Sequence, residues 1–145
     1  MRWQGQTLVN EISTKGILDI EFAKTSEKLS KLKAGWNKKD VITNIYLDFL
    51  FIISYTWFFI LACLYIKKRT NAKTIASVFI TIAVLAGVLD VIENCFMLFA
   101  MDHSKNAQAL KFTYYAALLK FILIGILFIY FILSISFLSL KKIKI

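Results

Sequence analysis

The chain has 145 residues, of which 59% are hydrophobic and 15% aromatic, with no proline and a formal charge of +9. That length leaves room for one domain, and the apolar share exceeds the roughly 45–50% of ordinary soluble domains; its concentration in three long runs excludes a disordered chain and argues against a soluble fold. The charge does not point to nucleic acid: the lysines gather at the ends of the apolar runs, as in Lys67-Lys68-Arg69 and Lys141-Lys142-Ile143-Lys144, where cations anchor spans at lipid headgroups, and no basic patch is interleaved with solvent-facing aromatics.

Residues 1–40 read as a polar N-terminal arm. Met1 to Asn10 is polar and has no apolar core of the signal-peptide kind, so the first span is expected to direct insertion. Gly5 and Gly16 punctuate the arm. Next comes Ile17-Leu18-Asp19-Ile20-Glu21-Phe22-Ala23, two carboxylates set among apolar residues. An exposed arm gains nothing from such a run, so it is expected to fold back onto the bundle mouth and bring Asp19 or Glu21 with it. The stretch TSEKLSKLKAGW predicts a short amphipathic helix. Thr25 or Ser26 caps it, Glu27 lies in the first turn, Leu29 and Leu32 form an apolar edge, and Gly35 stops it. An interfacial position in the membrane fits that edge, with packing against the loops as the alternative. Trp36 suits the membrane–water boundary.

Residues 41–145 read as the membrane domain, with spans at about 41–66, 73–101 and 110–140. Each exceeds the ~20 residues needed to cross ~30 Å of hydrocarbon. The connections at 67–72 and 102–109 are short, which predicts antiparallel neighbours in an up-down-up, all-α three-helix bundle. Near the span ends, one side carries Lys67, Lys68, Arg69, Lys73, Lys141, Lys142 and Lys144. The other carries Lys31, Lys33, Lys38, Lys39, Lys105 and Lys111. The tighter clusters favour the first side as cytoplasmic, which puts the N-terminus outside a cell membrane. Cys63 and Cys95 fall near opposite ends of their spans, roughly 20 Å apart in depth, too far for a disulfide. Both are expected to be small packing residues.

Polar residues inside spans are costly and each needs a reason. Asp90, Glu93 and Asn94 share one helical face, which continues through Ala83 and Gly87 to Met97. The small residues on it invite close helix approach, so the face is expected to look inward. Glu93 precedes the second connection by about as many residues as Lys120 follows it. Antiparallel helices then place both about 13 Å below the loop, and Lys120 is expected to pair with Glu93 or Asp90. Asp48 begins the first span on the same side, Tyr55 follows on its face, and His103 sits in the loop above. Asp48, Asp90, Glu93 and His103 are the candidate catalytic groups. Asp19, Glu21, Asp48, Tyr55, Asp90, Glu93, Asn94 and Lys120 are the candidate binding set. Tyr114 and Tyr115 fit an aromatic belt.

The motifs Leu18-Asp19-Ile20-Glu21-Phe22-Ala23, Leu47-Asp48-Phe49-Leu50-Phe51 and Leu89-Asp90-Val91-Ile92-Glu93-Asn94 carry a resemblance to a set of small uncharacterised bacterial integral-membrane proteins. It covers the chain from Gly16 onward and implies a membrane location, with no assigned activity.

Three functional classes compete. First is a small membrane protein with a one-sided carboxylate pocket that binds a lipid-like or small amphiphilic ligand. Second is a membrane-embedded enzyme on a lipid-linked substrate, in which paired carboxylates serve as acid and base. Third is an oligomeric proton or cation pathway. Asp90, Glu93, Asn94 and Lys120 also fit interhelical glue that sets helix register. No cofactor is expected. Oxygen-rich clusters suit a divalent cation, but no aspartate-rich metal motif is present. Membrane lipid is the expected partner, with a homo-oligomer or a second membrane protein as further options.

Overall fold

The computed structural model describes residues 5–70, 73–103 and 106–143, and the described residues contain helices, turns and no strand. A 3-10 turn at Gln6–Leu8 is followed by α1 (Leu18–Glu21), α2 (Ser26–Ala34), α3 (Lys38–Arg69), α4 (Lys73–Asp102) and α5 (Ala107–Ile143). Three helices are long and apolar enough to cross a membrane, which fits a multi-pass membrane protein. Lys105 and Lys144, part of the charge pattern, lie outside the described residues.

The helix starts follow their caps rather than the apolar runs. Thr25 Oγ1 accepts from Lys28 N at the head of α2, and Asn37 Oδ1 accepts from Lys39 N at the head of α3. The Asn37 cap starts α3 at Lys38, three residues before the apolar run suggests. Asp40 in the first turn and Lys67, Lys68 and Arg69 in the last complement the helix dipole. With 32, 30 and 37 residues, α3, α4 and α5 run about 48, 45 and 55 Å, beyond the ~30 Å of hydrocarbon. Hydroxyls along the spans bond to carbonyls one turn back, as Ser54 does to Leu50, Thr81 to Ser77 and Thr113 to Ala109. None of those hydroxyl protons is left bare toward lipid. Leu50, Ile53, Leu61, Val88 and Ile129 on the outer faces are exposed, an apolar surface suited to lipid.

α4 is the central helix and packs along both α3 and α5, while α3 and α5 meet each other sparingly. The contacts run in opposite order along neighbouring helices. Asp48 meets Asn94 and Tyr55 meets Asp90 between α3 and α4. Phe96 meets Phe112, Asp90 meets Lys120 and Phe79 meets Tyr130 between α4 and α5.

Two apolar cores result. One joins Leu8, Ile20, Leu29, Leu32 and Trp36 of the N-terminal segment to Val41, Ile45, Met97, Met101 and Leu110 of the long helices. The other, deeper core joins Phe59, Ala83, Ala86 and Leu127. The unusual polar side chains lie between them.

Several expectations change here. Leu29 and Leu32 are buried against protein, so α2 packs on the bundle and does not lay an apolar edge in lipid. Trp36 is only 7% exposed and donates its Nε1 proton to Leu8 O at 2.7 Å. It is a core residue that pins the first turn, not a boundary anchor. Cys63 is buried as expected, but Cys95 is exposed; both are free thiols. Tyr114 receives the edge of Phe22 and the ammonium of Lys24, so it docks the N-terminal segment.

Candidate functional site

The site begins on α4. Ala83, Ala86, Gly87, Asp90, Glu93, Asn94 and Met97 are all buried on its inner side. The small members set the interhelical distance. A Cβ on Gly87 would lie 2.5 Å from Thr56 Oγ1 of α3, so glycine is what lets α3 approach at this level. The same proximity places Tyr55 against Asp90, and its phenol donates to Asp90 Oδ2 at 2.9 Å.

Lys120 of α5 enters from the other side. Its Nζ donates to Asp90 Oδ1 at 2.6 Å and lies 2.8 Å from Glu93 Oε2. The first contact is a directed hydrogen bond. The second is an ion pair of similar length without a directed hydrogen bond. Lys120 is 4% exposed and Glu93 0%. The equal-depth expectation holds, and the choice between Asp90 and Glu93 resolves to both.

A third carboxylate arrives from the N-terminal segment. Glu21, the last residue of α1 and 5% exposed, places Oε2 3.7 Å from Lys120 Nζ. Its carboxyl also reaches Glu93. Burial pushes the Glu21 carboxyl above its ordinary range, with the Lys120 charge pulling the other way. α1 is held there by aromatic packing, with Phe22 stacked on Phe121 at 6.0 Å and edge-on to Tyr114 at 5.9 Å. On α3, half-buried Asp48 accepts from Asn94 Nδ2 at 2.9 Å, which leaves Asn94 Oδ1 buried without a donor.

The candidate residues therefore separate. Glu21, Tyr55, Asp90, Glu93 and Lys120 form one contact network, and the Asp48–Asn94 pair lies beside it in the same layer. Asp19 does not join it: it faces away, accepting from Ser13 Oγ at 3.0 Å and Lys15 N at 2.9 Å, and so holds the turn that starts α1. His103 does not join it either. It is exposed beyond the end of α4 and stacks on Phe99 at 4.3 Å, about 15 Å along the helix from Glu93.

Tyr55 also lines a groove of about 310 Å³ between α3 and α5, together with Phe51, Ser54, Phe58, Phe59, Ile124 and Phe128. Of its lining residues only Tyr55 stands out in the sequence, on the face of Asp48; the others read as ordinary lipid-facing or core side chains. A second groove, about 350 Å³ on the α3–α4 face, is lined by Ile52, Thr56, Trp57, Gly87 and Val88 among others and by no charged residue.

Among the described residues, no three histidine, cysteine or acidic side chains are arranged to hold a metal ion. The ammonium of Lys120 takes the position between the acids. No protein-family model, curated protein or solved structure matches the chain.

Proposed function

We propose that this is a small multi-pass membrane protein that binds a lipid-like, small amphiphilic ligand at the α3–α5 groove. The apolar part lies along Phe51, Phe59 and Phe128, and the polar head turns toward Tyr55 and the carboxylate layer. One observation carries the reading: Tyr55 is both a wall of the groove and a direct donor to buried Asp90. The groove's volume falls at the lower end of the ~300–1,000 Å³ usual for ligand sites, which combine apolar walls with a few placed polar groups.

The head is cationic in this reading. Four acids, Glu21, Asp48, Asp90 and Glu93, share a layer with the single ammonium of Lys120. Asp48 is half-buried and bonds to one amide only, so it is the acid best placed to meet an amine. The helices cross the membrane up-down-up, with the cationic Lys67-Lys68-Arg69 end in the cytoplasm and the N-terminal segment outside. The resemblance to small bacterial membrane proteins is compatible with this reading and adds no substrate.

Native mass spectrometry of the protein released in mild detergent tests the proposal. An amine-headed amphiphile is expected to remain bound. Ser54→Trp should expel it by filling the groove without cutting a layer contact, since the Ser54 hydroxyl bonds only to Leu50 O of its own helix. Wild-type protein free of amphiphile, or undiminished retention in a folded Ser54→Trp variant, would overturn it.

A further inference from the structure

We propose that Glu21 and Glu93 form a proton-binding site, one proton shared between the two carboxyls, and that this proton holds the N-terminal segment closed over the intramembrane layer. The inference does not depend on the amphiphile and rests on how the layer's donors are distributed.

Lys120 aims its hydrogen bond at Asp90 Oδ1. Asp90 Oδ2 takes the Tyr55 phenol, and Asp48 takes the Asn94 amide. The other two acids share the same ammonium, Glu93 Oε2 at 2.8 Å and Glu21 Oε2 at 3.7 Å, so three buried acids divide one countercharge. Glu93 is 0% exposed, yet both its oxygens lack a hydrogen-bond donor, as does Glu21 Oε2. A fully buried carboxylate without a donor is costly to keep ionised. Both carboxyls lie within 4 Å of the same ammonium, at 3.7 Å and 2.8 Å, which brings them against one another. As two anions they repel; with one proton between them they make a charge-assisted O–H···O bond. One ammonium does not balance three buried acids, and the shared proton supplies the missing positive charge. The equilibrium is balanced as Glu–COOH···⁻OOC–Glu giving two carboxylates and one released proton.

Among the described residues, charged and titratable groups surround the pair from each packed element. α3 contributes Asp48 and Tyr55, α4 contributes Asp90 alongside Glu93, and α5 contributes Lys120, whose Nζ lies within 4 Å of Glu21, Asp90 and Glu93. Lys24, next to α1 in sequence, lies over the Tyr114 ring at 4.0 Å. Lys33 of α2 donates to Met101 O at 2.6 Å. Neither offers Glu21 a countercharge.

Glu21 also has the means to leave. It ends a four-residue helix that follows Gly16, whose φ of +62° makes the turn, and that the Phe22 ring contacts fasten. Loss of the proton places a second uncompensated anion in the layer. The group best able to move to water is then Glu21, on its short helix, rather than Glu93 in the middle of α4. The sign follows from linkage. A carboxyl that holds its proton better when docked binds more protons in the closed state. Closure is thus strongest at low pH and weakens as pH rises above the ordinary carboxylate range.

Infrared difference spectroscopy in nanodiscs, paired with amide hydrogen exchange, tests this. The wild-type protein should show the C=O stretch of a buried carboxylic acid at neutral pH, which disappears as pH is raised. Protection at residues 19–23, corrected for intrinsic base catalysis, should fall together with that band, while residues 29–32 of α2 keep theirs. Glu93→Gln should remove the band. Glu21→Gln supplies an N–H in place of the proton, so it should remove the band and keep residues 19–23 protected at every pH. The absence of a carboxylic-acid band, protection independent of pH in wild type, or a Glu21→Gln profile that follows wild type would each overturn the proposal. If either variant fails to fold, the joint pH course of band and protection in wild type decides it.

Discussion

Lys120 Nζ and Asp90 Oδ1 stand 2.6 Å apart between two apolar cores, and through this pair α3, α4 and α5 share one polar connection. Tyr55 extends it from Asp90 to α3, and Glu93 and Glu21 crowd the same ammonium. Removing one partner of such a buried pair leaves an uncompensated charge and costs about 3–5 kcal/mol, whereas removing both can be nearly neutral. Lys120→Met should therefore lower the denaturation midpoint in detergent strongly. Asp90→Asn should restore more of the loss than Glu93→Gln, because only Asp90 takes a directed hydrogen bond from the lysine. Double-mutant cycles measure both couplings. Equal couplings, or a neutral Lys120→Met, would contradict the geometry.

Tyr55→Phe keeps the groove wall and removes the donor to Asp90. Hydrogen bonds to charged groups contribute about 1.5–3 kcal/mol, so a loss within that range is expected in the same denaturation assay. A change well below it would mean that Asp90 is held by Lys120 alone.

Gly87→Ala should destabilise by about 1–3 kcal/mol through overpacking, because its new Cβ meets Thr56 Oγ1 at 2.5 Å. Thr56→Ala should rescue it: the contact with the Thr56 Cβ that remains is an ordinary 3.5 Å. Failure of the rescue would place the strain elsewhere than at this crossing.

Gly16→Ala should cost roughly 1–2 kcal/mol, since a Cβ at φ +62° enters the left-handed region. The cost should be local. Exchange at residues 19–23 should rise while the denaturation midpoint of the spans stays near wild type. A global loss with no local change would show that the turn does not act on α1 by itself.

Topology is tested by cysteine probes in a background with Cys63 and Cys95 replaced by alanine. Lys68→Cys should react from one face of the membrane, and His103→Cys and Gly5→Cys from the other. A probe at position 144 should report with Lys68. Reaction of residues 5 and 144 from the same face would remove the up-down-up arrangement.

The chain's hydropathy dictates three long helices, and helical repetition alone dictates that Asp90, Glu93 and Asn94 turn to one side with Lys120 at their depth. Both follow from regular geometry, 100° and 1.5 Å per residue, which neighbouring residues carry without reference to the rest of the fold. The N-terminal segment has no such regularity. Asp19 and Glu21 sit two residues apart among similar apolar neighbours, yet Asp19 closes a turn onto Ser13 and Glu21 reaches Lys120. Their separation is decided by the positive φ at Gly16 and by Phe22 finding Tyr114 and Phe121 on a helix far along the chain. Trp36 reads in sequence as a boundary residue, because an indole beside charged neighbours suits the membrane–water interface. Only the carbonyl of Leu8 within reach of its N–H draws it inward. Local periodicity is written in adjacent residues, but the partner of a buried charge is set by packing between distant segments, and that exists only once they have folded together.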